Sequence, residues 1–363
     1  MTRTLSRPER IAWVRLARTP RIGPLTFHRL IARHRTAAAA LEALPRVSNL
    51  TAPPAAQAEA EIDGVEALGG RLIACCEPDY PPLLAQLDAP APVIAVRGDA
   101  NLLKQPTVAL VGSREGSGAA LMFAERVAAD LGAAGLTVVS GLARGVDAAA
   151  HKGALETGTV GVLAGGLDHP YPPQNQRLHD MICERGAVIS EAPLGAVARA
   201  RDFPRRNWII SGVSRGVVII EAALRSGSLI TARAAAEQGR DVMAAPGSPL
   251  DPRAHGSNAL IKQGATLIEN AADVIAALGE TRPPLRPHSI GPLFESETPP
   301  PPPGLPGKIR QLLSPTPIHV NDLARLLETP AGAVAAALTE LEMNGQAASL
   351  PGGYAASAGA AFG

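Results

Sequence analysis

The stretch TVALVGSREGSG, residues 107–118, decides the fold of this 363-residue chain. It begins with a continuous apolar run, as expected for a strand that is buried on both faces of a sheet. It ends in a glycine-rich turn, and a helical pattern follows over residues 119–131. A strand, a glycine turn and a helix in this order predict one unit of a parallel α/β sheet.

The same alternation continues toward the C-terminus. Strands are predicted at residues 107–111, 136–140, 159–164, 187–190, 217–221, 242–245 and 266–268, and helices such as 119–131 and 228–238 lie between them. The sequence therefore predicts an α/β fold with an extended Rossmann-like, doubly wound, mostly parallel sheet. Ligands of such folds bind at the carboxyl ends of the strands.

The loops at these carboxyl ends are rich in groups that bind phosphate. Glycines let backbone amides approach an anion, while helix N-termini and arginines add positive charge. So many loops at one edge suit a run of phosphates better than one nucleotide. For the first of them, at residues 111–118, a glycine turn that only the fold requires remains an alternative. The predicted contacts are Gly112, Ser113, Arg114, Ser140, Gly141, Arg144, Gly165, Gly166, Asn175, Arg205, Arg206, Asn207, Ser226, Gly227 and Thr231.

Other kinds of site are disfavoured. The glycine spacing is not GxGxxG, and the Lys-Ser/Thr pair of a P-loop is missing, which argues against a dinucleotide site and an ATPase. The histidines form no metal-binding motif, and no GxSxG elbow is present. Glu191 and Glu221 end strands at the same edge, and they are expected to pair with arginines or cap backbone rather than act as an acid/base pair. Asp147 is expected to cap the following helix. We therefore predict no catalytic residue, cofactor or metal.

Composition excludes further classes. Lys and Arg number 34 against 33 Asp and Glu, so overall charge gives no sign of a nucleic-acid partner. Cys75, Cys76 and Cys183 form neither a CxxC pair nor a disulfide framework, which favours a reducing cytoplasm. No apolar run approaches the ~18 residues of a membrane helix.

The flanking regions differ from the middle. Residues 1–50 hold ten arginines against Glu9 and Glu42, and the apolar spacing predicts two helices around Gly23-Pro24. Such a hairpin either binds a DNA backbone or packs as an interaction module, and the second is favoured because arginine is abundant throughout the chain. The proline-rich residues 281–306 are predicted to be an extended linker, with a partner-binding proline motif as the alternative.

The C-terminal region shows the pattern of a winged helix, with three short helices and a hairpin. Its third helix, at residues 331–344, contains no Arg or Lys but does contain Glu340 and Glu342, so residues 308–363 are not expected to bind DNA. The predicted domains are a helical domain at 1–70, the core at 71–280, the linker at 281–306 and a winged-helix-like domain at 307–363.

Six motifs in order carry a family resemblance. They are VGSR at 111–114, SGLARGVD at 140–147, HKGAL at 151–155, FPRRN at 203–207, SGSLITA at 226–232 and PG at 246–247. Over about residues 70–280 the chain closely resembles the DprA (Smf) family of bacterial DNA-processing proteins. The family usually ends the fourth motif with Arg-Asn-Arg, whereas Trp208 follows Asn207 here. One phosphate contact is therefore either lost or replaced by stacking.

This resemblance implies a function and partners. It implies a core that binds single-stranded DNA, forms a homodimer and loads RecA during natural transformation and recombination, with no established catalysis. It also implies an N-terminal SAM or helix-hairpin-helix-like domain and a C-terminal winged helix. The competing functions are a phosphoribohydrolase-like enzyme that cleaves nucleotide glycosidic bonds, whose Pro-Gly-Gly-x-Gly-Thr signature is only echoed at 226–231, and a protein-binding scaffold.

Overall fold

A computed structural model describes residues 3–47, 50–279, 304–313, 317–350 and 353–357. The chain divides into two compact units. One contains residues up to 4 and the stretch that begins at Ala60. The other contains Leu5–Glu59 and the described residues from 304 onward.

The N-terminal region is helical. Its helices are α1 (Arg7–Ala17), α2 (Pro24–His34), α3 (Ala37–Val47) and α4 (Ala55–Ala67). The two predicted helices are confirmed, and Pro24 is the first residue of α2, where its missing N–H costs nothing. The rings of Trp13 and Phe27 pack edge to face at 5.0 Å and join α1 to α2.

The core is built on nine strands. These are β1 (Gly70–Ala74), β2 (Val93–Gly98), β3 (Thr107–Gly112), β4 (Thr137–Ser140), β5 (Thr159–Leu163), β6 (Ala187–Ser190), β7 (Gly216–Ile220), β8 (Asp241–Ala244) and β9 (Thr266–Leu267). The accompanying helices are α5 (Pro82–Ala85), α6 (Gly118–Ala133), α7 (Val146–Ala154), α8 (Gln176–Arg185), α9 (Phe203–Gly212), α10 (Ser228–Glu237), α11 (His255–Lys262) and α12 (Ala271–Gly279).

The strands form one sheet in the order β1-β2-β6-β5-β4-β3-β7-β8-β9. From β6 to β9 every pairing is parallel, whereas β2 pairs antiparallel with both β1 and β6. Buried apolar clusters cover both faces. The predicted doubly wound, mostly parallel sheet is therefore confirmed. Connections run outward in opposite directions from β3 and β7, so a crevice opens at their carboxyl ends.

The C-terminal region forms a winged helix. Its elements are α13 (Leu305–Leu312), β10 (Ile318–His319), α14 (Val320–Leu326), α15 (Ala331–Met343), β11 (Ala347–Leu350) and β12 (Tyr354–Ser357). Ile309, Leu323 and Leu338 are fully buried in its core. The predicted linker end at 306 is wrong, because Leu305 is buried and already belongs to α13. The rest of that prediction, residues 281–303, lies outside the described residues.

Among the described residues, no helix combines the length and apolar character that spanning a bilayer requires.

Candidate functional site

A cleft of about 500 Å³ opens at the carboxyl ends of β3 and β7. Its lining comes mainly from the loop after β3, the loop after β7 with the start of α10, and the first turns of α9, with Ala143 and Asp147 from the segment after β4. Eight predicted site residues lie in its wall, namely Gly112, Ser113, Arg114, Arg206, Asn207, Ser226, Gly227 and Thr231. Four of the quoted motifs therefore contribute to the cleft wall. They are the motifs at 111–114, 140–147, 203–207 and 226–232, and the second contributes Asp147.

The base of the cleft depends on Gly112. This residue ends β3 and is paired with Ile220 at the end of β7. A Cβ atom at Gly112 would overlap the carbonyl oxygen of Ile220. The absence of a side chain lets the two strand ends stay close together while their loops diverge around the cleft.

Arg114 lies exposed at the mouth of the cleft. Its guanidinium carbon is 5.2 Å from the ring centroid of Phe203, and that of Arg206 is 5.4 Å from the same ring. Tyr171 packs edge to face on Phe203 at 5.9 Å. In the described part of the chain, no carboxylate lies within ion-pairing distance of Arg114. An aromatic ring thus supports an arginine whose charge faces solvent.

Phe203 is a site residue that sequence reasoning missed. It was quoted only as part of a motif, and no residue-level argument predicted a role for it. Its one signal was its position directly before Pro204 and two arginines. Sequence reasoning also missed Arg225, which lines the cleft, is exposed and directly precedes the motif at 226–232.

Arg206, by contrast, is buried. Its Nη1 donates a hydrogen bond to the carbonyl oxygen of Gly141, and its Nε donates to Oδ1 of Asn207 at 3.0 Å. A Cβ atom at Gly141 would overlap the guanidinium group, so a side chain there would displace Arg206 from this position. Burial lowers the pKa of Arg206, and the negative charge of Asp147 partly opposes this shift. Arg206 therefore ties the loop after β4 to α9.

Asp147 does not cap α7, contrary to the sequence prediction. The N-cap residue is Gly145, and Asp147 lies inside the first turn of the helix. Its Oδ2 instead accepts hydrogen bonds from the amides of Gly141 (3.2 Å) and Ala143 (3.4 Å). Burial raises the pKa of Asp147, and the charge of Arg206 opposes this. The Asp147 carboxylate therefore stabilises the loop that precedes α7, because two amides of that loop donate to it.

The two other acidic residues of this edge are engaged, as the sequence predicted. Glu191 is almost fully buried and accepts two hydrogen bonds from Arg205, one of them from Nε at 2.6 Å. Burial lowers the pKa of Arg205, but Glu191 outweighs it and the net shift is upward. Glu221 accepts from the amide of Ser117 at 2.8 Å.

The remaining predicted residues lie outside the cleft wall, and several of them hold its loops. The Ser140 hydroxyl donates to the carbonyl of Leu110 at 2.6 Å. The Asn175 amide donates to the carbonyls of Leu142 and Ala143 at 2.8 and 3.0 Å. These contacts fix the loop after β4. Arg144 lies exposed in that same loop.

Gly165 and Gly166 are buried and already hydrogen-bonded. The carbonyl of Gly165 accepts from the Ser190 hydroxyl at 2.6 Å, and the amide of Gly166 donates to the carbonyl of Ala196 at 2.9 Å. Their backbone groups therefore face the protein. Among the described residues, no cluster of His, Cys, Asp and Glu is suited to holding a metal ion.

Three family models match this chain. DNA recombination-mediator protein A matches residues 71–279, the DprA-like N-terminal HHH domain matches 7–64, and the DprA winged helix domain matches 295–353. Protein Smf of Escherichia coli K12 is 39% identical over 282 residues, which cover 76% of this chain and 74% of that protein. DNA processing protein DprA of Streptococcus pneumoniae R6 is 46% identical over 200 residues, covering 54% and 70%.

Solved structures agree. The X-ray structure of DprA from Streptococcus pneumoniae has a TM-score of 0.64 at 32% identity and covers 76% of this chain and 98% of its own. DprA from Helicobacter pylori, whose structure concerns its single-stranded DNA binding mode, has a TM-score of 0.53 at 28% identity, covering 58% and 95%. With its core, its N-terminal region and its winged helix all matched, this chain belongs to the DprA/Smf family of DNA recombination-mediator proteins.

Proposed function

We propose that the cleft between the ends of β3 and β7 binds single-stranded DNA, and that the chain acts in DNA processing during transformation and recombination. The observation that carries this proposal is Arg114, which is exposed at the cleft mouth and supported by the ring of Phe203. A charge that no carboxylate in the described residues neutralises is available to a phosphate. The likeness to the Helicobacter pylori protein supports the same ligand.

The site suits a single strand better than a duplex. Tyr171 is 52% exposed and lies against Phe203 beside the arginines. A single strand can place phosphates on arginines and turn its bases onto such rings, and stacking of this kind is tolerant of sequence. The stacked bases of a duplex are not free to do so.

The predicted contacts divide into two groups under this proposal. Gly112, Ser113, Arg114, Asn207, Ser226, Gly227 and Thr231 contact the strand, with Arg144 and Arg205 beside the cleft. Ser140, Gly141, Gly165, Gly166, Asn175 and Arg206 act by holding the loops.

We further propose that the protein is not an enzyme and needs neither cofactor nor metal. The carboxylates of Glu191 and Glu221, which sequence reasoning weighed as an acid/base pair, are occupied by Arg205 and Ser117. General acid/base chemistry requires such groups to reach a substrate. This arrangement gives no support to the alternative of glycosidic-bond cleavage.

Membership of a recombination-mediator family supports the finer parts of the proposal. The chain would work in the cytoplasm as a homodimer that associates through its core, and it would load RecA onto the bound strand. The division into a helical domain at 1–70, a core at 71–280 and a winged-helix-like domain that already includes Leu305 is proposed on the same ground. RecA loading is tested by measuring RecA filament assembly on the bound strand. The homodimer is tested by measuring the mass of the protein in sedimentation.

The primary experiment compares three ligands by fluorescence anisotropy: a labelled single strand, the matching duplex and free nucleotides. We expect the single strand to bind most tightly, with affinity falling as salt rises, and the nucleotides to remain intact. Equal affinity for the duplex, or release of a free base, would contradict the proposal. Arg126→Ala is the control, because Arg126 is an exposed arginine on α6 that does not line the cleft.

A further inference from the structure

Helix α15 of the winged helix contacts helix α2 within the second compact unit. Nη1 of Arg29 donates a hydrogen bond to Oγ1 of Thr339 at 2.9 Å and lies 3.8 Å from Oε2 of Glu342. The Thr26 hydroxyl donates to the same Glu342 oxygen at 3.2 Å. Residues 26 and 29, like 339 and 342, are three apart and share one helix face. Two matched faces therefore meet.

The groups in this contact are largely shielded from solvent. Thr26 is buried, and the side chains of Arg29 and Glu342 are 24% and 9% exposed. Burial lowers the pKa of Arg29, and Glu342 opposes this shift. A carboxylate with so little solvent is costly unless it is paired, which distinguishes this contact from an ordinary surface ion pair.

The charges of the two regions are complementary. Residues 1–50 contain ten arginines and two glutamates, whereas the only charged residues of α15 are Glu340 and Glu342. The contact continues beyond the helix, because a Cβ atom at Gly345 would lie 2.8 Å from Nη1 of Arg21. Complementary charge selects one partner surface over others.

We propose that α15 is a docking surface for the N-terminal helical domain of this same chain, with α2 as its occupant. Winged-helix DNA readers insert the corresponding helix into a DNA groove. Here Thr339 and Glu342 recognise Arg29 instead, and the two terminal domains are held as one body. This proposal stands independently of DNA binding by the core, and it gives part of the N-terminal arginine excess a role in protein contact.

Small-angle scattering of the full chain tests the proposal. Arg29→Glu and Glu342→Arg each place like charges together, so each is expected to release the winged helix and increase the radius of gyration. The combined double variant restores an opposite pair and is expected to return the radius toward that of the wild type. Arg33→Glu and Glu340→Arg are matched controls, since both residues are exposed on the same helices and their changes should leave the radius unaltered.

Hydrogen exchange gives a second readout that does not depend on shape. With the contact broken, amides of α2 and α15 are expected to exchange about tenfold faster, whereas the core strands are unchanged. A charge reversal could unfold the winged helix and so speed exchange for another reason. Arg29→Met keeps the apolar stem and adds no repulsion, and it is expected to speed the exchange of the same amides. Single variants with wild-type radius and exchange would overturn the proposal. The proposal would also be overturned if the wild-type contact were lost on dilution, because a contact that depends on protein concentration joins two copies of the chain.

Discussion

The backbone amide of Ser117 donates a hydrogen bond to the carboxylate of Glu221 at 2.8 Å, and the hydroxyl of Ser117 donates to the same group. Ser117 is the N-cap residue of α6, so an acidic side chain occupies the helix N-terminus that follows β3. Glu221 adopts a φ of 51°, a conformation rare outside glycine. Negative charge therefore occupies the N-terminus of α6, where a phosphate could otherwise bind, and phosphate binding falls to the arginines at the mouth of the cleft.

Glu221→Gln is expected to tighten single-strand binding about threefold at low salt, because it removes a like charge close to the phosphates. The same change should lower the free energy of unfolding by about 1 kcal/mol, since an anion at the N-terminus of α6 is lost. Anisotropy titrations and urea unfolding measure the two effects.

The matched control is Glu115→Gln. Glu115 lines the cleft and carries the same charge as Glu221, but it is exposed and the structure gives it no contact with the N-cap residue of α6. We expect it to alter affinity in the same direction without the loss of stability. An unfolding free energy that falls equally in both variants would show that the bond to Ser117 has no special role.

Arg114→Ala is expected to weaken single-strand binding more than any other single arginine change. Loss of one phosphate contact should also reduce the slope of log affinity against log salt by about 0.7, the value for a single strand. Binding at several salt concentrations measures both. Wild-type affinity at moderate salt would show that the strand does not cross this part of the cleft.

Replacing Arg205 by Ala and replacing Arg206 by Ala are expected to affect stability to different degrees. Arg206→Ala leaves Asp147 buried beside an empty space, which should cost about 3–5 kcal/mol of stability. Arg205→Ala removes two hydrogen bonds from the buried carboxylate of Glu191, so stability should fall by about 1–3 kcal/mol, less than for Arg206→Ala, while single-strand affinity also falls. Urea unfolding alongside anisotropy separates the two. Normal stability of the Arg206 variant would contradict the clamp between Gly141 and α9.

The sequence could predict the parallel strands because buried strands in such sheets are continuous apolar runs next to glycine turns. All seven predicted strands are present. β1 and β2 were missed, although residues 93–96 of β2 are themselves a buried apolar run before Gly98. Both strands precede the motif-bearing region, and they pair antiparallel, which the alternation of strands and helices does not predict.

Side-chain partners across long separations could not be predicted. Arg206 looked like one of two equivalent arginines, and only the folded chain brings the Gly141 carbonyl, 65 residues away, onto its guanidinium. Likewise, Glu342 appeared only as a reason for excluding DNA. Its contact with Arg29 joins residues more than 300 positions apart, and no local pattern encodes such a contact.

Removal of the residues after Glu280 is expected to leave single-strand affinity within about twofold of the wild type. The described part of the winged helix contains only Lys308, Arg310 and Arg325 as basic residues, and none lies on α15. A full-length variant with these three changed to Ala should behave in the same way. A large loss of affinity, with the core still folded by circular dichroism, would assign DNA binding to this domain.

Acid is expected to destabilise the core through His151. Its ring is fully buried with Nδ1 2.9 Å from the Thr159 hydroxyl, and burial lowers its pKa to about 3. Between that value and the ordinary pKa near 6.5, the unfolded chain binds a proton that the folded chain does not. Stability is therefore complete above about pH 6.5 and falls toward pH 3, by at most about 1.4 kcal/mol per pH unit. Urea midpoints measured across this range should depend less on pH in His151→Gln, whereas His169→Gln, at an exposed site, should match the wild type. An unchanged pH dependence in His151→Gln would assign the acid sensitivity to other groups.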